Sequence, residues 1–544
     1  MSNMQGKQKL IFLIFFSFIF FLGSIIFNDY GISIDEDNSR VNGFVTLKYI
    51  FELFKFSVIS DLNNIISVPH IHSYSEQGNG VVFDLPLALI EILFKIEDPR
   101  KIFLTRHYFT FLIFFISLFF FFLLLKNRFK SFNLAILGVL FLILSPRIFA
   151  QSFYNSKDII FMSLNLINLF FGIKYLENSN FKNTLFFGIF SGLNVGVRLL
   201  GVYVPILILI IKLIQILRTD QSLKNHYFNF VVTFFFILFF IYFFWPFLWE
   251  NPLANFFEAF NNIGNHQVGI QNFFLGKYIP VEFVPWFYSF VWIGVTTPIF
   301  YLILFILGIF FSGKRIFNRI LKIEENKKNN DLWRGNNEKI DFIIFLSFFL
   351  PIFVTIILHS SLYTGWRHMY FVYPFLIYFC IYLIMITQKI LFRKNKIIIL
   401  FAFIFLIPNF IWILKNHPYQ YVYFNSIVSK NFNKYFDMDY WGLSNFQSLR
   451  YILEKNKNKE IIYVYLLGNG DLNLSKSFLK KNEKDRIKIT ENLNDADFLI
   501  DNYARWYGQK VSFENLGIND KFSKYHDIKV NQVSINSIYT KIFD

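Results

Sequence analysis

Residues 10–27, LIFLIFFSFIFFLGSIIF, decide the class of this protein. The stretch carries no charge, and a helix of about 20 apolar residues is long enough to cross the hydrocarbon core of a bilayer. Similar runs recur along the 544 residues of the chain, of which 55% are hydrophobic and only 17% are charged. The composition therefore predicts an all-α polytopic membrane protein.

The same apolar criterion predicts about eleven transmembrane helices. They lie at residues 10–27, 107–125, 132–146, 159–176, 183–198, 200–217, 228–246, 287–311, 341–358, 369–388 and 397–414. Small residues interrupt the apolar run between 183 and 217, where one long, broken helix is the alternative to two spans. That alternative would place the next basic loops outside the cell, so we favour two spans.

Basic residues indicate the orientation of these helices. The net charge is +16, and Lys and Arg concentrate in the loops of one side. The clusters are Lys7 and Lys9; Lys126, Arg128 and Lys130; Lys174 and Lys182; Lys212, Arg218 and Lys224; residues 314–339; and Lys389, Arg393, Lys394 and Lys396. This is the positive-inside signal of a membrane protein, which predicts a cytoplasmic N-terminus and no nucleic-acid partner. An odd number of crossings then places the C-terminus outside.

The first outer loop, residues 28–106, is too apolar to extend freely into water. Its stretches at 44–60 and 82–96 mix apolar and polar residues at helical spacing. We therefore expect two amphipathic segments that lie along the membrane surface.

The chain changes character after residue 414. The long apolar runs stop, and short alternating segments at 461–466 and 496–500 are typical of β-strands. We predict a transmembrane domain over residues 1–414 and a small, soluble, extracytoplasmic α/β domain over residues 415–544.

An acidic cluster, Asp35-Glu36-Asp37, follows the first span. Carboxylates at a membrane surface, close to the end of a rigid helix, suit a reaction on a lipid-linked substrate. The alternative is that three acidic residues only mark the point where the helix leaves the bilayer. The cluster also supplies oxygen ligands of the kind that suit Mg²⁺, Mn²⁺ or Ca²⁺, so Asp35, Glu36 and Asp37 form a candidate metal site. The single cysteine, Cys380, excludes an intrachain disulfide and a cysteine zinc site.

Cations lie on the same predicted outer face, where the positive-inside rule disfavours them. Arg147 and Lys157 bracket a short loop, and Arg198 lies in a stretch of small residues. Arg367 and His368 stand side by side among aromatic residues, and a guanidinium group matches the oxygens of a phosphate. The alternative is that these side chains only anchor helices at the interface.

Several motifs resemble bacterial members of glycosyltransferase family 39. They are the acidic pair Asp35-Glu36, Ser145-Pro146-Arg147, Asn155-Ser156-Lys157-Asp158, Phe274-Leu275-Gly276-Lys277-Tyr278, Pro285-Trp286-Phe287-Tyr288, Thr296-Thr297-Pro298, Gly365-Trp366-Arg367-His368 and Tyr440-Trp441-Gly442. This family is related to the protein mannosyltransferases and the aminoarabinose transferases, within the C-type glycosyltransferase superfamily. The resemblance covers about residues 30–445, and only the acidic pair is a motif of the whole superfamily.

The resemblance implies an inner-membrane enzyme of bacteria that uses a polyprenyl-phosphate sugar as its donor and works on the periplasmic face. Asp35 matches the base of the family's first loop, and Glu36 would assist or orient it. A single displacement would invert the anomeric carbon. By their side of the membrane and their charge, some of the five cations are expected to meet the leaving phosphate: Arg147, Lys157, Arg198, Arg367 and His368. The acceptor is left open among a lipid, a polysaccharide and a protein.

Two other functions need a similar chain. A transporter or flippase of lipid-linked sugars would also have many spans, but internal repeats and charges near the bilayer midplane are typical of that class. The sequence shows no clear repeat, and most charges lie at the ends of spans. A ligase or polymerase of glycan chains would use the same type of donor, but its large late outer loop is missing from the predicted topology.

Overall fold

The computed structural model describes residues 5–55, 67–217, 223–264, 269–321, 332–391, 395–428, 430–505, 518 and 520–542. Within these ranges nine helices are long and apolar enough to cross a membrane. They are Gly6–Ile26, Pro99–Phe129, Asp158–Glu177, Leu199–Leu217, Tyr227–Phe244, Ile299–Leu321, Gly335–Ile357, Arg367–Ile390 and Ile397–Lys415. The predicted fold class, a helical polytopic membrane protein with a small C-terminal sheet domain, is confirmed.

A bent pair of helices raises the number of candidate spans in the described chain to ten, where the sequence predicts about eleven. The predicted span 132–146 is the helix Phe132–Ile143, which meets the helix Pro146–Tyr154 at 71°. Pro146 explains the bend, because proline lacks a backbone N–H and disfavours helical geometry in the residue before it. The predicted span 183–198 is the helix Phe181–Val195, whose 15 residues are short for a crossing.

Further helices lie between or beside the spans. They are Ile34–Leu53, Asp84–Leu93, Pro252–Gly264 and Tyr288–Thr296. The predicted span 287–311 is thus divided at Pro298, and the helix Ile299–Leu321 carries its second part.

The first outer loop is shorter than predicted, and its described residues include two α-helices, Ile34–Leu53 and Asp84–Leu93. We call Ile34–Leu53 the acidic helix, because Asp35, Glu36 and Asp37 form its first turn. Negative charges are favourable at that end of a helix. It starts ahead of the predicted stretch 44–60, part of which lies outside the described residues. The loop ends where the helix Pro99–Phe129 begins, with proline in its first turn.

The C-terminal domain is built on a mixed five-stranded sheet. The sheet contains β3 (Ile462–Leu466), β4 (Ile487–Ile489), β5 (Phe498–Asp501), β6 (Phe522–Val530) and β7 (Val533–Lys541). The strands β1 (Gln271–Phe274) and β2 (Lys277–Pro280) come earlier in the chain and form a separate hairpin. The strand order is β4-β3-β5-β7-β6, in which β3 is parallel to β4 and β5, and β7 is antiparallel to β5 and β6. The helices Ser444–Lys455, Leu472–Ser477 and Lys481–Lys484 accompany it. Both strands predicted from sequence, at 461–466 and 496–500, are present as β3 and β5.

The C-terminal domain packs directly on the segment that leads into the acidic helix. Ile32 and Phe103 are buried in one cluster with apolar residues of the domain, including Phe446. A Cβ atom added to Gly31 would lie 2.3 Å from the carbonyl oxygen of Leu443, so only glycine fits at this contact. The domain therefore fixes the start of the helix that carries the predicted catalytic acids.

Candidate active site

The first turn of the acidic helix separates the roles of its carboxylates. The backbone nitrogen and the hydroxyl of Ser33 donate to Oε1 of Glu36 over 2.8 and 3.1 Å. Oε2 of Glu36 lies 2.9 Å from Nε2 of His107, and the Glu36 side chain is 1% exposed. Glu36 thus caps its own helix and faces a neighbouring span. The geometry does not support the predicted role beside Asp35, because successive residues of a helix point about 100° apart.

Asp35 faces a guanidinium group instead. Nη1 of Arg367 donates to Oδ2 of Asp35 over 2.7 Å and to Oδ2 of Asp158 over 3.2 Å. The side chains of Arg367 and Asp158 are 4% and 1% exposed, whereas that of Asp35 is 32% exposed. The buried guanidinium group of Arg367 therefore links the partly exposed carboxylate of Asp35, in the first loop, to the buried carboxylate of Asp158, at the end of a span.

Asp158 belongs to one of the motifs that resemble the family, but no role at the site was predicted for it from the sequence. It begins the span Asp158–Glu177, and its carboxylate binds Arg198 as well as Arg367. Nδ2 of Asn155 donates to its Oδ2 over 3.1 Å, and its own backbone nitrogen donates to Oδ1 of Asn155 over 2.8 Å. A signal was present in the sequence, since a carboxylate at a span end beside predicted cations needs partners.

Lys157 and His368 complete the rim of this cluster. Burial lowers the pKa of Lys157, and the nearby charge of Arg198 lowers it further, while Asp35 acts in the opposite direction. The His368 ring lies 4.6 Å from the ring of Tyr363 in an edge contact. Its Nδ1 atom is buried and makes no hydrogen bond of good geometry within the described chain. The structure therefore brings four of the five predicted cations around Asp35 and Asp158.

Arg147, the fifth predicted cation, lies to one side of the cluster. It is buried in the helix Pro146–Tyr154, where the sequence predicts an open loop, and its Nε donates to the carbonyl oxygen of Tyr423 over 2.9 Å. Its guanidinium carbon lies 4.7 Å from the ring centre of Phe424. Its two terminal nitrogens make no hydrogen bond of good geometry to described residues. The buried Tyr440 lies near both Arg147 and Arg367, and the positive charge of each acts on its hydroxyl group.

The β1–β2 hairpin holds the loop that carries Arg367. Nδ2 of Asn272 donates to the carbonyl oxygen of Leu362 over 2.7 Å, and the backbone nitrogen of Thr364 donates to Oδ1 of Asn272 over 3.1 Å. The Thr364 hydroxyl in turn accepts a hydrogen bond from Nε of Arg367 over 2.5 Å. Gly365 has φ +75°, which glycine adopts without strain. The guanidinium group is thus held at Nε as well as at Nη1.

The predicted metal site is not assembled by these side chains. Asp35 binds Arg367, and Glu36 binds Ser33 and faces His107. Among the residues with described coordinates, no group of three or more His, Cys, Asp or Glu side chains is arranged to hold a metal ion. A divalent cation at Asp35, Glu36 and Asp37 remains a prediction of the sequence, without support from this geometry.

The charges of the cluster favour an anion with several oxygens. Lys157, Arg198 and Arg367 outnumber the two carboxylates at its centre, Asp35 and Asp158, and Arg147 adds a further cation at one side. Both terminal nitrogens of Arg147 and Nε of Arg198 are buried N–H donors that lack hydrogen bonds of good geometry within the described chain. Buried donors without acceptors are costly, and a phosphate group offers the acceptors that such donors need.

Part of this site matches a known protein family. Residues 86–245 match the family model described as dolichyl-phosphate-mannose-protein mannosyltransferase. The matched region contains Arg147, Lys157, Asp158 and Arg198, and it excludes Asp35 and Arg367. No curated protein matches the chain. The resemblance to these glycosyltransferases that the sequence predicts is confirmed.

Two solved structures are similar to the whole chain at low sequence identity. ArnT from Cupriavidus metallidurans in the apo state is 10% identical with a TM-score of 0.46, over 98% of both chains. ArnT from the same organism bound to undecaprenyl phosphate is 10% identical with a TM-score of 0.43, over 97% of both chains. Because both TM-scores lie below 0.5, the functional assignment depends on the family match and the site geometry.

Proposed function

We propose that the protein is a membrane glycosyltransferase that moves a sugar from a polyprenyl-phosphate donor to an acceptor hydroxyl. One observation carries the proposal: the Arg367 guanidinium joins Asp35 to Asp158, and Arg198 and Lys157 lie beside this contact. The family match over residues 86–245 supports the reaction class. Undecaprenyl phosphate, to which one of the ArnT structures is bound, is the lipid carrier to test first.

The cations would bind the phosphate of the donor. When the bond between the anomeric carbon and the phosphate oxygen breaks, the electron pair and negative charge pass to the polyprenyl phosphate. Arg198, Lys157 and Arg367 lie together around Asp158 and would stabilise that charge, and the terminal nitrogens of Arg147 would add N–H donors at the side. Fixed donors in a buried site stabilise such charge more strongly than water does, because they need no reorientation.

Asp35 would act as the general base. It is the more accessible of the two carboxylates, and Arg367 binds its Oδ2 atom, so Oδ1 is available to an acceptor. The acceptor hydroxyl gives its proton to Asp35 while its oxygen bonds to the anomeric carbon from the side opposite the phosphate. This single displacement inverts the anomeric carbon and yields the glycoside and polyprenyl phosphate.

Asp158 would position the cations. Its carboxylate is buried and binds Arg198, Arg367 and Asn155. It is therefore poorly placed to reach an acceptor. By balancing part of the charge of two arginines, it allows both to remain buried close together.

The proposed location is the inner membrane of a bacterium, with the site and the C-terminal domain on the periplasmic side. The distribution of Lys and Arg among the loops supports this orientation. The packing of Ile32 and Phe103 against the C-terminal domain supports a common side for the domain and the acidic helix.

The test is turnover by the full-length protein in detergent with a panel of undecaprenyl-phosphate sugars and lipid or glycan acceptors. A transferase releases undecaprenyl phosphate and forms a glycoside, and NMR of the product should show inversion at the anomeric carbon. A flippase has no membrane to act across in detergent and would leave every donor intact. Retention of configuration would contradict the single displacement, and absence of turnover with the whole panel would contradict the transferase.

A further inference from the structure

A cavity with polar and aromatic walls lies outside the catalytic cluster. It has a volume of about 730 Å³ and opens between the β1–β2 hairpin, the segment 430–438 and the C-terminal domain. The cavity is not lined by Asp35, Asp158 or Arg367. The volume falls in the range of roughly 300–1,000 Å³ that is usual for small-molecule sites.

The wall of this cavity combines cations with aromatic and amide groups. Lys430 and Lys434 are exposed and form no ion pair within the described chain. Arg505 also lines the cavity, and its Nη2 donates to both carboxylate oxygens of Asp501 over 3.0 Å. Tyrosine rings, asparagine amides and a serine hydroxyl also line it: Tyr278, Tyr503, Asn431, Asn433 and Ser534. Aromatic faces and amide hydrogen bonds suit the faces and hydroxyls of a sugar, and the cations suit an acidic group on it.

The one carboxyl group in the wall opposes these cations only weakly. Burial raises the pKa of Asp437 to about 7, so a substantial fraction of this group is neutral at neutral pH. Its Oδ2 accepts a hydrogen bond from the backbone nitrogen of Phe273 over 2.9 Å. The cavity therefore has a positive balance of charge.

The cavity shares its wall with the catalytic cluster. Met438 lines the cavity, and Tyr440, two residues further along the chain, lies beside Arg367. Even a fully extended chain separates the Cα atoms of Met438 and Tyr440 by no more than about 7 Å. Beside this segment, Phe273 also lines the cavity, and the adjacent Asn272 holds the loop of Arg367. A molecule in the cavity would thus lie within the length of one or two sugar rings from the cluster.

We propose that this cavity binds an anionic saccharide, the part of the acceptor that carries a phosphate or a carboxylate. This inference rests on the proposed function, because it assigns to the C-terminal domain the recognition of the acceptor whose hydroxyl meets Asp35. The anionic group would bind Lys430, Lys434 and Arg505, and the sugar rings would lie against Tyr278 and Tyr503.

The test measures binding of glucose 1-phosphate, glucuronate and neutral glucose to the full-length protein by isothermal titration calorimetry. The variant is Lys430→Gln/Lys434→Gln, and the control is Lys457→Gln, an exposed lysine of the same domain outside the cavity. We expect the two anionic sugars to bind at least about tenfold more tightly than glucose, and only the double variant to lose that preference. The preference between phosphate and carboxylate identifies the anionic group of the acceptor.

Equal affinity for glucose and the anionic sugars, or a double variant indistinguishable from Lys457→Gln, would overturn the inference. Binding of undecaprenyl phosphate is measured in parallel, and the double variant should retain it because neither lysine belongs to the catalytic cluster. Charge-dependent sugar binding without turnover of any donor would establish the saccharide site while contradicting the proposed transfer. Turnover of a donor without charge-dependent sugar binding would support the proposed transfer while contradicting the saccharide site.

Discussion

Nη1 of Arg367 lies 2.7 Å from Oδ2 of Asp35, although the two residues come from the beginning of one span and from the first outer loop. The same nitrogen also reaches Asp158. This contact gives the acidic helix a fixed position relative to the cations of the spans. It brings the predicted base and the predicted phosphate ligands into one site, and the following predictions depend on it.

Replacement of Arg367 with lysine should lower kcat by about 10²-fold. An ammonium group keeps the positive charge, but it lacks the planar fork that reaches Asp35, Asp158 and Thr364 at once. The measurement is turnover of the lipid-linked donor under saturation. Arg450→Lys, at an exposed helical position of the C-terminal domain, is the matched control and should retain full activity. Equal kcat values for the two variants would contradict the role of the guanidinium group.

Asp158→Asn should reduce stability much more than Asp35→Asn. Removing the negative charge of the buried Asp158 leaves two arginines without their shared partner. Breaking a buried ion pair in this way lowers the free energy of unfolding by roughly 3–5 kcal/mol. Asp35 is partly exposed, so water can solvate Arg367 from its side. Thermal unfolding in one detergent should show a clear decrease in Tm for Asp158→Asn and little change for Asp35→Asn. The reverse order would contradict the positioning role of Asp158.

Gly31→Ala should impair turnover by displacing the acidic helix. The new methyl group would lie 2.3 Å from the carbonyl oxygen of Leu443, so either the helix start or the C-terminal domain must move. Gly294→Ala is the control, because a methyl group there meets no atom within 4 Å. We expect the first variant to lose most of its kcat and the second to match the parent protein. Full activity of Gly31→Ala would show that the packing of the domain does not position Asp35.

The contribution of Asp437 to the stability of the protein should fall as the pH rises towards 7. Burial raises the pKa of Asp437 to about 7 in the folded state, above the ordinary value of 3.8. The folded state therefore binds an extra proton between these pH values, and this contribution is present at low pH and lost as the pH passes the folded pKa. Asp437→Asn removes the titrating group but keeps an acceptor for the Phe273 nitrogen. The Tm of the parent protein minus the Tm of Asp437→Asn should decrease from pH 4 to pH 8, and a difference that does not change with pH would contradict the assignment.

Hydropathy and the charge of the loops were sufficient to predict the class of the protein, most spans and the strands at β3 and β5. Those features depend on local periodicity and on transfer to lipid, which a sequence displays directly. The role of Glu36 was not predictable in the same way. Adjacent acids look equivalent in a sequence, but the capping box at Ser33 turns Glu36 away from Asp35.

Long-range pairing accounts for the rest of what the sequence did not predict. Nothing local in the segment 155–158 shows that Asp158 would be shared by Arg198 and Arg367, because Arg198 directly precedes one other span and Arg367 begins another. The cavity beside Asp437 likewise arises only when the hairpin and the C-terminal domain meet. The bend before Pro146 was visible in the sequence, but its angle of 71° depends on packing in the folded chain.

The most direct test compares two neighbouring carboxylates of the acidic helix, Asp35 and Asp37, by measuring kcat for release of undecaprenyl phosphate. Both substitutions, Asp35→Asn and Asp37→Asn, remove one negative charge from the same helical turn, but only Asp35 binds Arg367 in the structure. We predict that Asp35→Asn lowers kcat by about 10²–10⁴-fold, as expected for loss of a general base, while Asp37→Asn stays close to the parent protein. Equal kcat values for the two variants would contradict the assignment of Asp35 as the base.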